Sequence, residues 1–394
     1  MIVGTVSTAR DLPSTIVMAR SVKEHMPGSR IVVGVMEETL PLDAMNCPYF
    51  DEVIQLKNVL RFPNLSKFWF QYDEQEAKNA CKAPLLSYIY DKYVDEQLFV
   101  YLESNIKVYS PLTELEAISE RHPITIAGYR TNYDFMEWDL QIEGDKANVY
   151  NMGLLALSRH SEARRFLSWW TNIGERHSGS EYSFLDLTPI FFDDVYILRH
   201  PGYGIEHRNL VERWNIAQSG VGSYTVNSEP LRCILFTPEL ATAAGWLDEN
   251  KSQIYSQIYQ RYTLEVEGVA KTAPIAKPWS YGSFANGEPI AKAAKQAFRN
   301  NYYDNSAIDN PFLLSNGFFH PQPSNYRSST NHQFRFPRKS VRKHKWPKAG
   351  RRRTVPAFKR RTSKPLVYKR LRARAARLRN RPLMTKRARI VPNR

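Results

Sequence analysis

Residues 97–115 read QLFVYLESNIKVYSPLTEL. Leu98-Phe99-Val100-Tyr101-Leu102 is an unbroken apolar run, with the length and β-rich content of a parallel strand buried on both faces. It stops at Glu103-Ser104-Asn105, and Ile106–Tyr109 resumes before Ser110-Pro111. In open α/β sheets, ligands sit beyond the carboxyl ends of the strands. A carboxylate and an amide two residues apart at such an end mark where chemistry is expected.

Upstream, Ile2–Ser7 reads as a first buried strand. Asp11 is placed to cap a helix with Pro13 in its first turn, and Leu12, Ile16, Ala19, Val22 and Met26 share one face. Pro27-Gly28 ends it, Arg30–Val35 is a second strand and Phe50–Leu56 a third. This β-α-β opening is the Rossmann-like half of a nucleotide-binding sheet, although Thr8-Ala9-Arg10 lacks the G-x-G-x-x-G of dinucleotide folds. Phe68–Glu76, which holds Tyr72 and Glu76, is followed by Lys82-Ala83-Pro84 and a helix through Tyr93. Downstream, Pro123–Tyr129 and Val149–Leu157 read as strands. Ser161–Arg176 is an amphipathic helix with Phe166, Leu167, Trp169, Trp170 and Ile173 inward, its tryptophans belonging to core. Gln253–Gly268 is a further helix.

The net charge of +16 is unevenly spread. Residues 331–394 hold 25 of the 55 Lys and Arg and none of the 39 Asp and Glu, so residues 1–330 carry about −9. The chain is an acidic body with a polycationic tail, and the two need separate explanations. Residues 269–330 are rich in Pro, Gly, Asn, Ser and aromatics and read as a loosely structured extension packing its aromatics on the domain. The tail, residues 331–394, is expected to be disordered, and residues 335–394 to bind a polyanion such as nucleic acid or an anionic polymer. Cys47, Cys81 and Cys233 show no paired spacing, which favours a reducing cytoplasm over a disulfide or zinc framework. No apolar run approaches the roughly 18–20 residues of a membrane helix. There is no G-x-S-x-G and no P-loop, and His160, His177, His200 and His207 stand singly.

YLESNIKVYSPLTEL resembles the segment Y-L-D-x-D-I-x-V-x-S-P-L-x-E-L of bacterial nucleotide-sugar glycosyltransferases of GT-A type. NMG at 151–153 is similar to the family's N-x-G strand, and FLSWW at 166–170 to its F-L-x-W-W. LTPIFFDDVYILRHPGYGIEHRNL, ending at Leu210, resembles the family's segment around H-P-G-Y-N-x-x-x-W-N-L, with Gly204 for the Asn and Arg208 for the Trp. The likeness covers about residues 1–268. It implies a GT-A-like Rossmann-type mixed sheet flanked by helices, followed by the extension and the tail.

The same resemblance implies the site. The family's two aspartates hold a divalent cation, Mn2+ or Mg2+, against a sugar-nucleotide diphosphate. Glu103 and Asn105 stand there, a degenerate metal pair, and Glu181-Tyr182 falls on the family's Asp-Gln pair. Leu235, in LRCILFTP, replaces a histidine. Catalytic candidates are thus Glu103, Asn105 and Glu181. Thr8, Arg10, Lys82, Ser104, Asn151, Gly153, His200, Gly202 and Arg208 are substrate-binding candidates for a nucleotide-sugar. With the hard oxygen ligands reduced, two readings stand open. In one, Lys82, Arg10 or Arg208 meets the leaving-group charge and a hexose is transferred to an unknown acceptor with weak or no metal dependence. In the other, the domain is inactive and serves interaction, binding polyanions through its tail.

Overall fold

The computed structural model describes residues 1–129, 149–176, 185–245, 247–272, 278–300 and 307–319. The chain divides into two units, Met1–Asn325 and Tyr326–Arg394; the second lies outside the described residues. The first unit runs β1 (Ile2–Ser7), α1 (Leu12–His25), β2 (Arg30–Val35), α2 (Leu42–Met45), β3 (Glu52–Gln55), α3 (Leu65–Phe70), α4 (Glu74–Lys92), β4 (Leu98–Leu102), β5 (Ile106–Val108), α5 (Thr113–Ser119) and β6 (Ile124–Gly128). It continues with β7 (Tyr150–Ser158), α6 (Ser161–Arg176), α7 (Thr188–Phe191), β8 (Val195–Leu198), β9 (Ile216–Gly220), β10 (Ser223–Val226), β11 (Glu229–Pro230) and β12 (Cys233–Leu235). Helices α8 (Pro238–Ala244), α9 (Glu249–Thr272) and α10 (Lys292–Asn300) follow.

Seven strands form the central sheet in the order β3-β2-β1-β4-β7-β6-β8. β3, β2, β1 and β4 are mutually parallel, β7 is antiparallel to both β4 and β6, and β8 is parallel to β6. The Rossmann-type mixed sheet flanked by helices expected from the sequence is therefore present. Every residue of β1 and β4 is buried, because helices cover both faces. Alternation assigns the faces: Ile2, Val6, Phe99 and Tyr101 pack under α4 and α6, whereas Val3, Leu98, Val100 and Leu102 pack under α1. At roughly 1.5–3 kcal/mol for each fully buried large apolar side chain, this two-sided burial outweighs any local preference of the short strands.

Several boundaries differ from the sequence pattern. The third strand is shorter than Phe50–Leu56, because Leu56–Asn58 turns into a 3-10 helix. The last long helix is longer than Gln253–Gly268. α4 starts well before Lys82 and carries Pro84 inside it, its first turn closed by a reciprocal cap in which Asp73 accepts from Glu76 N and Glu76 accepts from Asp73 N, both at 2.9 Å. Pro84 has no N–H for the Ala80 carbonyl. α6 crosses there, its Gly174 so near that an added Cβ would stand 3.1 Å from Ala80 O.

The aromatics of residues 278–319 complete the core. Trp279 and Tyr281 join the α4 side, with Tyr281 stacked on Trp69 at 4.5 Å. Phe284, Phe298 and Phe319 surround Phe70. Lys295, buried on α10, donates to Tyr72 O at 2.7 Å and Tyr281 O at 3.2 Å, tying this segment to the start of α4.

Candidate functional site

From β1 the chain builds outward on one side, through β2 to β3, then returns to the other side of β1 as β4. This reversal is a topological switch point, and the crevice at the carboxyl ends of the two flanking strands is where open α/β sheets take their ligands. The loop 8–11 leaves β1 there, and Glu103-Ser104-Asn105 leaves β4. α4 lies across this edge and presents Lys78 and Lys82, four residues apart and so on one face.

Four charges meet at this point. Lys82 Nζ lies 2.6 Å from Glu103 Oε2, and Lys78 Nζ lies 3.1 Å from Glu103 Oε1 and 2.8 Å from Asp11 Oδ2. Lys78 also donates to Ser104 Oγ at 3.1 Å, and Lys82 to Met152 O at 3.2 Å. Lys82 lies 5.0 Å from the centre of the Tyr101 ring. All but Asp11 are nearly inaccessible: Glu103 is 7% exposed, Lys78 5% and Lys82 2%. Burial alone would raise the Glu103 carboxyl, but the charges of Lys82 and Lys78 prevail and bring it down to about 2. Burial likewise opposes the Lys78 ammonium, and Glu103 and Asp11 reverse the effect, so its pKa is raised. Two carboxylates and two ammoniums leave the cluster formally neutral.

Asp11 therefore differs from the sequence expectation. It occupies the N-cap position of α1, but its side chain makes no capping hydrogen bond and turns to Lys78 instead. A buried ammonium is a stronger attractor than a backbone N–H at a solvated helix end.

The start of β7 closes the edge. Glu103 N donates to Gly153 O at 2.8 Å, Gly153 N to Asn151 Oδ1 at 2.8 Å, and Asn151 Nδ2 to Gly204 O at 3.4 Å. Gly204 has φ +57°, a left-handed conformation that Gly and Asn adopt most readily. Two residues on, Glu206 is fully buried and accepts from Arg208 Nε at 2.9 Å. The Arg208 guanidinium lies over the Tyr129 ring, 3.7 Å from its centre, and donates to the Tyr129 hydroxyl.

The remaining candidates divide. Thr8 donates to Glu74 at 2.9 Å, and Arg10, two-thirds exposed, pairs with the same carboxylate at 3.3 Å. Thr8, Arg10, Lys82, Glu103, Ser104, Asn151 and Gly153 thus border the switch point, and Arg208 connects to it through Gly204. His200 and Gly202 sit in another cluster. His200 Nε2 is 3.6 Å from Glu114, Gly202 N donates to His200 Nδ1 at 3.1 Å, and a Cβ on Gly202 would stand 2.0 Å from Pro230 O. Burial lowers the His200 pKa, against the pull of Glu114. Glu181 and Tyr182 lie outside the described residues. Tyr72 and Glu76 serve structure: the Tyr72 hydroxyl donates to Gly174 O, and Glu76 pairs with Arg299 at 2.8 Å.

Among the described residues, the groups gathered at this edge do not fit a divalent cation. Both oxygens of Glu103 face ammonium groups. Asn105 Nδ2 donates to Phe236 O at 2.7 Å, and its Oδ1 is buried without a hydrogen-bond partner. Leu235 is packed among Ile106, Val108 and Cys233. Among the described residues no group of three or more His, Cys, Asp or Glu is arranged to hold a metal. Lys78, Asp11, Glu206 and Tyr129 were missed as site residues. The spacing of Lys78 and Lys82 on one helix was the one available signal.

No protein-family model and no curated protein sequence matches the chain. Among solved structures, it is similar to the galactosyltransferase LgtC in complex with donor and acceptor sugar analogs, at 9% identity over 68% of this chain and 96% of that one, with a TM-score of 0.39. It is similar to the glycosyltransferase GlyE of Streptococcus pneumoniae TIGR4, at 12% identity over 72% of this chain and 66% of that one, with a TM-score of 0.38. Mouse xyloside xylosyltransferase 1 is similar at 12% identity over 61% and 99%, with a TM-score of 0.36. At these values the likeness concerns the course of the chain and says nothing of donor, acceptor or metal.

Proposed function

We propose that residues 1–268 form a glycosyltransferase-like domain that binds a nucleotide-diphosphate sugar at the switch point between β1 and β4, without a divalent cation, and transfers its hexose to an acceptor. The observation that carries this reading is the convergence on one sheet edge of the segments that resemble the family: loop 8–11, Glu103–Asn105, Asn151–Gly153 and the turn at Gly204. In this reading Arg10 and Arg208 flank the diphosphate and Asn151–Gly153 approaches the sugar. In the transfer the bond between the anomeric carbon and phosphate oxygen breaks and leaves its electron pair on the diphosphate. The acceptor hydroxyl oxygen forms the new bond and gives its proton to that leaving group. Glu103, ionised far below neutral pH and held by two lysines, orients Lys78 and Lys82 and is not an acid. Calorimetry of the full chain with UDP-, GDP- and dTDP-sugars, in EDTA and in manganese, tests the reading. Micromolar binding of one donor in EDTA is expected, and no binding by any donor refutes it.

A second reading has its own support: a neutral, closed charge cluster suits a domain that no longer catalyses and serves interaction. Release of nucleoside diphosphate from the bound donor, alone or with added glycans, separates the two. In either case the Lys- and Arg-rich residues 335–394 are proposed to hold a polyanion, supported by their 25 basic and no acidic residues. We place the protein in the cytoplasm, a reading supported by Cys47, Cys81 and Cys233 all being free and buried. Among the described residues no helix is long and apolar enough to cross a membrane.

A further inference from the structure

Lys78 sits where the loops after β1 and β4 meet, and three oxygens from these two loops surround its ammonium. They are Asp11 Oδ2 at 2.8 Å, Ser104 Oγ at 3.1 Å and Glu103 Oε1 at 3.1 Å. Hard oxygens gathered around a positive charge are what a cation site offers; here the cation is part of the chain. Of the three, Asp11 is outermost, its side chain 27% exposed against 10% for Glu103. It is also the least committed to the fold, because it forgoes the cap of α1 to reach Lys78.

We propose that Lys78 is a built-in cation for the diphosphate of the donor, and that Asp11 is an internal anion which a phosphate oxygen displaces. This deepens the nucleotide-sugar reading above and rests on it. The exchange conserves interactions. Phosphate replaces carboxylate on one ammonium, and the released Asp11 stays at the N-cap of α1, where Pro13 has no N–H and Ser14 offers the first-turn N–H it can cap. Glu103 and Ser104 stay in place and hold Lys78 at the strand ends. Arg10, on the same loop and two-thirds exposed, approaches from the solvent side. The inherent weakness of such a site is the competing carboxylate, so removing the charge of Asp11 strengthens binding, the opposite of what loss of a substrate contact would do.

The test is calorimetry on the full chain with UDP, GDP and dTDP, their sugars, inorganic pyrophosphate, and the phosphate-free nucleosides as controls. The basic tail is common to all variants, so comparison among them cancels its contribution. Wild-type affinity for the preferred diphosphate is expected to be the same in EDTA and in manganese. Lys78→Met is expected to weaken it at least tenfold without changing nucleoside binding, and Asp11→Asn to tighten it threefold or more. Circular dichroism checks folding. Should Lys78→Met not fold, Asp11→Asn decides, and failure to tighten overturns the proposal. Unchanged affinity in both variants, or a tenfold gain from manganese in the wild type, overturns it while the nucleotide reading stands. Failure of the wild type to bind any nucleotide overturns both.

Discussion

Replacing Glu103 by Gln keeps the shape of the side chain and removes the charge that two buried ammoniums share. Two independent routes give the size of the effect. The carboxyl lies at about 2 in the folded chain against 4.5 for an ordinary glutamate. At about 1.4 kcal/mol per unit, that difference corresponds to about 3 kcal/mol of stability at neutral pH. Removing one partner of a buried ion pair separately costs roughly 3–5 kcal/mol, because the other charge stays desolvated. Both place Glu103→Gln well above the typical loss of about 1 kcal/mol for a point substitution. Glu103 is nearly inaccessible, so solvent screening does not reduce the figure.

Urea unfolding followed by tryptophan fluorescence at pH 7 measures it, as a shift in midpoint at constant slope. The sign of the pH dependence adds a check. The folded pKa is depressed, so the contribution is complete above pH 4.5 and lost as the pH falls towards 2. The gap between wild type and variant should therefore narrow between pH 4.5 and 3, while other carboxylates cancel in the comparison. A loss below about 1 kcal/mol, or a gap that stays constant from pH 7 to pH 3, would show that Glu103 is hydrated and the cluster open.

Gly204→Ala should cost about 1–2 kcal/mol through its left-handed backbone, with Gly204→Asn costing less, both read from urea midpoints. Burial brings the Lys295 ammonium down to about 8, so between pH 8 and 10.5 the unfolded chain holds more protons than the folded one and stability rises with pH. Wild type should gain on Lys295→Met in melting temperature across that window, and a gap that shrinks instead contradicts the burial. Ending the chain at Gln333 should leave the secondary structure unchanged by circular dichroism and move the isoelectric point below neutrality, since about −9 remains. A peptide of residues 335–394 should bind DNA with an affinity falling steeply with salt; retention at molar salt would exclude a simple polyelectrolyte contact.

The sheet was legible because its signals are local. The runs at 2–7, 30–35 and 98–102 are dominated by apolar residues, as strands covered on both faces require, and the observed strands coincide with them. The candidate site was legible only where it lies on those strand ends. Beyond its four-residue spacing from Lys82, Lys78 carries no mark in the sequence that distinguishes it from a solvated helix lysine; its burial follows from α4 crossing the carboxyl ends of β1 and β4. Asp11 read as a helix cap because local chemistry favours that use, and a partner 67 residues away prevailed. Residues 270–330 show little periodicity, yet Trp279 and Tyr281 pack against Trp69 in the core.

The departures from the glycosyltransferase pattern read differently once their neighbours are known. Asn105 immediately precedes β5 and Leu235 ends β12: Leu235 pairs with Ile106 across the two strands, and the Asn105 amide donates to the Phe236 carbonyl beyond them. A carboxylate at 105 would face that carbonyl with no proton to offer, and an imidazole at 235 would enter the apolar set of Ile106, Val108 and Cys233. With a metal between them, such groups would be ligands; without one, they would be buried and unpaired. Lys78 supplies positive charge on the other side of Glu103, which alone keeps its carboxylate. Glu103 thus meets two ammoniums, with the Asn105 amide and the apolar Leu235 close by.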